Sequence, residues 1–107
     1  IPSEDIVTAG RLVGTKLMLN EFLAFLDLTS LPSEALQPRT RLMMIYILCG
    51  FANFSALAIM LGGLSAMCPD RRRDFLDLGI KSMLVGFMTN IMSGTLVGLL
   101  PEQALAF

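Results

Sequence analysis

Residues 42–69 read LMMIYILCGFANFSALAIMLGGLSAMCP, from Leu42 to Pro69, and carry no charged side chain. At about 1.5 Å per helical residue the run would reach roughly 42 Å, against a hydrocarbon layer of about 30 Å. It reads as a membrane-spanning helix with length to spare. Near its middle, Cys49-Gly50-Phe51-Ala52-Asn53-Phe54-Ser55 sets a helix-weakening glycine beside two polar side chains. The helix is expected to unwind there, as transporter helices often do beside a substrate, so that Asn53 and Ser55 satisfy freed backbone groups or face a polar ligand. An intact helix with an interhelical Asn is the plainer alternative. Gly62-Gly63 further on reads as a close-packing or fraying point, since no strand precedes it and no Lys-Ser/Thr pair follows.

Toward the C-terminus, Ser82 to Pro101 is again uncharged, and its helical part up to Leu100 would reach roughly 28 Å, an ordinary span. Ser82, Gly86, Asn90, Gly94 and Gly98 recur every four residues, which lays them along one stripe where another helix can approach closely. Asn90 in that stripe reads as an interhelical hydrogen-bonding residue rather than a ligand contact. The charges from Asp70 to Asp74 read as a solvated turn between the spans. Arg71, Arg72, Arg73 and Lys81 lie there, whereas the tail after Pro101 has only Glu102. This imbalance places the middle loop in the cytoplasm and the C-terminus outside, with Arg39 and Arg41 on the outer side as exceptions to the rule.

The first third is different, because Glu4, Asp5, Arg11, Lys16, Glu21 and Asp27 interrupt an otherwise apolar sequence. Its apolar segments form two arms, about Asp5 to Val13 and about Asn20 to Leu28, joined by Gly14-Thr15-Lys16. Arms of that length cross only half a bilayer, which predicts a re-entrant helical hairpin whose tip is covered by protein or water. The resulting organisation is an all-α membrane protein. Residues 1–31 form the hairpin and 32–41 an external connection, bounded by prolines. Residues 42–69 form the discontinuous transmembrane helix and 70–81 a charged cytoplasmic loop and helix start. Residues 82–100 form the final transmembrane helix, and 101–107 the C-terminal tail. The opening at Ile1, with no basic segment ahead of an apolar stretch, reads as an excision from a longer chain.

Composition narrows the chemistry. Of 107 residues, 54% are hydrophobic and 16% charged, a membrane composition. A net charge of −1, no Trp and one Tyr exclude a nucleic-acid surface, which needs basic patches with interleaved aromatics. With no His and with Cys49 and Cys68 outside any CxxC spacing, neither a zinc site nor a disulfide framework is expected. Both cysteines read as inert apolar filler. Glu21, flanked at helical spacing by Leu17, Met18, Ala24, Phe25 and Leu28, is the residue that stands out. A charge at membrane depth costs about 2.5–3.5 kcal/mol and persists mostly where it meets a cavity, a partner or a substrate. An ion pair with Lys16 or Arg11, or a position near the interface, is the structural alternative.

These residues together resemble a known family. Gly14-Thr15-Lys16, Leu19-Asn20-Glu21-Phe22, Leu48 to Ser55, Gly62-Gly63-Leu64 and Pro69 with Arg71-Arg72 are similar in order and spacing to the C-terminal part, the second inverted repeat, of the concentrative nucleoside transporters. The resemblance implies a secondary-active symporter that moves nucleosides inward on a sodium or proton gradient. It also implies assembly as a homotrimer in the cell membrane, the inner membrane in a bacterium, as a multi-pass protein. This chain would supply the second hairpin, the unwound helix and the final helix, and would need the N-terminal part of the same transporter as its partner. In the family, the glutamate of Asn-Glu-Phe and the asparagine of Ala-Asn-Phe-Ser bind ribose hydroxyls, which maps onto Glu21 and Asn53. With Asn20 and Ser55 they form the candidate substrate-binding set. The second ribose-binding serine common in the family is Ala56 here. Base recognition and the known sodium site belong to the first repeat. Glu21 is also a candidate for proton linkage.

Two other classes compete. In a non-transporting membrane subunit, Glu21 and Asn53 would only fix helix packing. An intramembrane enzyme would have to use Glu21, Asp27 or Cys49, but no His, paired carboxylates or activated nucleophile accompanies them. No enzymatic activity is expected.

Overall fold

The computed structural model describes residues 1–104. Five α-helices follow one another: α1 Ile6–Met18, α2 Glu21–Ser30, α3 Pro38–Leu48, α4 Phe54–Met67 and α5 Arg72–Gly98. One-turn 3₁₀ segments lie at Pro69–Arg71 and Glu102–Ala104. Among the described residues there is no strand.

The first two helices part at Leu19 and Asn20, not at Gly14-Thr15-Lys16. Gly14, Thr15 and Lys16 continue α1, with the Thr15 hydroxyl bonded back to the Arg11 carbonyl at 3.2 Å. The break comes where Asn20 turns extended (φ −162°, ψ 170°) and its side chain accepts from the Leu23 N–H at 2.9 Å. An Asn N-cap stabilises a helix start more effectively than a lone glycine ends a helix. The chain then folds back, bringing the Thr15 hydroxyl to within 3.4 Å of Asp27 Oδ2. Ala9 and Leu12 of α1 close on Ala24 and Leu28 of α2, and these join Leu36 with Met44, Ile47 and Leu48 of α3 in one buried cluster.

Helix α3 begins at Pro38, so 38–41 belong to the helix rather than to the connection. Proline suits the first helical position, where its missing N–H is not needed. Residues 49–53 then leave helical geometry before α4 starts at Phe54. Beyond α4, the charged segment is already helical from Arg72, ten residues before Ser82. No proline interrupts it, and Arg71 pairs with Asp74 at 2.9 Å across the first turn. The segment Pro69–Gly98 is the one helix among the described residues long and apolar enough to cross a membrane. Helices α3 and α4, at 11 and 14 residues, would each cross about half of one. Large apolar side chains such as Val7, Ile59, Met88 and Leu96 are exposed on several helices, far more than a water-soluble surface carries.

Helix α5 lies along both α3 and α4, and its small residues permit the approach. A Cβ on Gly94 would overlap the buried Ile47 side chain and come within 3.2 Å of the Met43 carbonyl. On Gly98 it would meet only the flexible Met43 side chain. Gly94→Ala is therefore expected to destabilise the complete protein by about 1–3 kcal/mol through overpacking. Gly98→Ala is expected to be neutral or slightly stabilising, because Met43 can move and Ala favours the helix. Thermal unfolding midpoints of the two variants in detergent check the difference.

Candidate functional site

Two helix starts converge. Asn53, extended at φ −146° and ψ 164°, caps α4 by accepting from the Ala56 N–H at 2.7 Å. Asn20 caps α2 in the same way, and Glu21 is the first residue of that helix. The Asn53 amide, 2% exposed, donates through Nδ2 to Glu21 Oε2 at 2.9 Å. Residues 32 positions apart in sequence thus form one polar contact. Asn53 does two jobs with one amide: its oxygen holds a helix start and its nitrogen holds the carboxylate.

Both helix N-termini carry partial positive charge, which favours a carboxylate at that place. Glu21 is half-buried, with the ion-pair partners Lys16 and Arg11 replaced by an amide. Among the described residues, the only ion pair within 4 Å is Arg71 with Asp74. An ionised carboxylate has about four acceptor sites and an amide nitrogen two donors, so the contact leaves both groups with capacity for a further polar ligand. Of the other candidates, Asn20 has its side-chain oxygen on the Leu23 N–H, and Ser55 is exposed in the first turn of α4, outside the Glu21–Asn53 contact. Beside Asn53, a cleft of about 330 Å³ opens between α4 and α5, lined mainly by apolar side chains with Asn53 and Ser82 as its polar members.

Two more polar groups lie behind the pair: Asn90, anticipated as an interhelical hydrogen-bonding residue, and Lys16, considered only as an ion-pair partner of Glu21. Lys16 is fully buried, and its ammonium donates to the Ile47 carbonyl at 2.7 Å. The Asn90 amide, oriented by its neighbours, accepts from Lys16 Nζ at 2.6 Å and donates to the Cys49 carbonyl at 3.1 Å. The Phe87 ring lies under the ammonium with its centroid at 5.9 Å. For Lys16 the signal was a lysine one turn ahead of Asn20-Glu21 in an apolar helix, and for Asn90 its place in the stripe of small residues. Cys49 and Cys68, read as filler, are exposed residues ending α3 and α4.

Comparison with known proteins agrees with this architecture. The family described as Na+ dependent nucleoside transporter C-terminus matches residues 1–98. An uncharacterised transporter of Haemophilus influenzae is 44% identical over 95 residues, covering 85% of this chain and 23% of its own. A nucleoside permease of Helicobacter pylori is 36% identical over 103 residues, covering 92% and 25%. The structure of CNTnw in an inward-facing substrate-bound state superposes on the whole chain with a TM-score of 0.87 at 35% identity, and 27% of that chain is covered. The chain spans about a quarter of the length of these relatives.

Proposed function

Because the chain belongs to the family of Na+ dependent nucleoside transporter C-termini, a transporter and not an enzyme family, we propose that it supplies the ribose-binding half of a nucleoside site in a secondary-active symporter. The observation that carries this reading is the Asn53 to Glu21 hydrogen bond at 2.9 Å. Vicinal hydroxyls each offer a donor and an acceptor, and a carboxylate beside an amide meets both needs. The ribose diol would enter at this contact, with Glu21 accepting from the hydroxyls and Asn53 donating to them. Asn20 contributes by fixing the helix start that presents Glu21, and Ser55 borders the same helix start on α4.

In this reading α1 and α2 form a re-entrant hairpin, and residues 49–53 lie near the bilayer midplane as the unwound part of a broken span. The first repeat, upstream in the complete transporter, supplies the base-binding contacts and the site of the coupling ion, sodium or proton. The complete protein is a multi-pass membrane protein, of the inner membrane in a bacterium, and assembles as a homotrimer. Movement of the hairpin-bearing unit gives alternating access.

The test is uptake of labelled uridine or adenosine by the complete transporter in nucleoside-uptake-deficient cells, with unlabelled competitors. Uptake should be competed by the parent nucleoside and at least tenfold less effectively by its 2′,3′-dideoxy analogue. Absence of uptake, together with no nucleoside-dependent thermal shift, would favour a purely structural membrane subunit.

A further inference from the structure

We propose that Lys16 is a positioning residue for the substrate pair, holding the helix that leads into Glu21 against the broken backbone that leads into Asn53. The inference rests on the ribose-binding reading above and extends it to a residue that touches no substrate.

Ending α3 at Leu48 leaves its last carbonyls without helical partners. Two of them, on Ile47 and Cys49, are answered by side chains: Lys16 Nζ at 2.7 Å and Asn90 Nδ2 at 3.1 Å. The same two side chains bond each other at 2.6 Å. One ammonium therefore ties α1 to the end of α3 and, through Asn90, to α5. Lys16 stands five residues before Glu21, and Cys49 four before Asn53. With no exposure to solvent, the ammonium has two strong acceptors and the Phe87 face at 5.9 Å.

A buried ammonium is an inefficient way to fill apolar space, since well-packed hydrophobic side chains of similar size often serve stability equally well. Its distinctive property here is registration. The positions of Glu21 and Asn53 relative to each other depend on where α1 stands against the break, and Lys16 specifies that through a charged, directional contact. A looser pair would bind the diol more weakly while leaving the rest of a nucleoside's contacts in place.

The experiment compares a ribonucleoside that the complete transporter carries, uridine or adenosine, with its 2′,3′-dideoxy analogue, measuring KM and Vmax in proteoliposomes. In the Lys16→Met variant the KM for the ribonucleoside should rise at least tenfold, and the KM for the dideoxy analogue less than twofold. Lys16→Arg should recover part of the lost discrimination. Loss of transport in proportion for both substrates, with discrimination unchanged, would overturn the inference and leave Lys16 a fold-holding residue. If Lys16→Met does not fold, Asn90→Leu removes one acceptor of the ammonium and should lower discrimination in the same direction; unchanged discrimination there overturns the inference equally. Equal KM values for the two substrates in the wild type would instead remove the ribose-binding reading, and this inference with it.

Discussion

Glu21→Gln in the complete transporter is expected to lower Vmax/KM for a ribonucleoside by about a hundredfold. The substitution keeps the side chain's length and shape, and the oxygen of the introduced amide could still accept from Asn53, so the helix start should survive. What disappears is the charge and half of the acceptor capacity. A hydrogen bond to a charged group contributes about 1.5–3 kcal/mol, and about 1.4 kcal/mol corresponds to tenfold in affinity. Weakening the contacts to two vicinal hydroxyls therefore gives on the order of two decades. Uptake kinetics with matched membrane expression measure it. The 2′,3′-dideoxy analogue supplies the control: it lacks the hydroxyls, so its already poor transport should change by less than threefold. A similar hundredfold loss for both substrates would place Glu21 in the transport cycle rather than at the sugar.

Glu21 and Asn53 were both legible in the sequence, one as a costly charge among apolar residues and the other as an amide beside a glycine in an overlong span. Their hydrogen bond was not, because nothing local relates positions 32 apart. The end of α1 was misplaced at Gly14-Thr15-Lys16 because a glycine was weighted above a cap. Asn20 followed by Glu21-Phe22-Leu23 is a helix-start pattern, and the structure breaks there. Within 70–81, read as a loop and a helix start, the charges did not show where one gives way to the other, since charged side chains on an exposed helical turn are compatible with helix. Helix α5 starts at Arg72. The uncharged run of 42–69 showed that one straight span was too long. It did not show that the helix begins at Pro38.

The basic residues illustrate what a linear reading cannot see. Arg39 and Arg41 stood as exceptions to the charge asymmetry of the loops. In the structure Arg39 donates to the Gly98 carbonyl at 3.1 Å, at the end of α5, and Arg41 donates to Leu28, Leu31 and Pro32 carbonyls, at the end of α2. Lys16 does the same at the end of α3. Three cations thus answer three helix C-termini, while Asn20 and Asn53 answer two N-termini. A chain broken into short helices in an apolar setting has many orphan backbone groups and little water to satisfy them. These five polar side chains accordingly bond helix ends. Glu21 also stands at a helix start, but as a carboxylate with acceptor sites beyond the one Asn53 uses.

Gly50 is where this arrangement is least tolerant, and Gly50→Ala is expected to be the most damaging small substitution in the chain. Its φ of +142° lies in a region that L side chains rarely adopt, which costs about 1–3 kcal/mol in strain. A Cβ there would also lie 2.6–3.0 Å from the terminal amide group of Asn90, adding about 1–3 kcal/mol of overpacking. Asn90 cannot yield freely, because moving it breaks its bonds to Lys16 and to the Cys49 carbonyl. The disturbance therefore reaches the segment that presents Asn53, and both thermal stability and ribonucleoside affinity should fall. The double variant Gly50→Ala with Asn90→Ala separates the two causes: it removes the collision but keeps the backbone strain. Removing the collision should return part of the lost unfolding midpoint, measured against Asn90→Ala alone. Full recovery would mean that the backbone at position 50 carries no strain, and no recovery would mean that the Asn90 contact is not what limits this position.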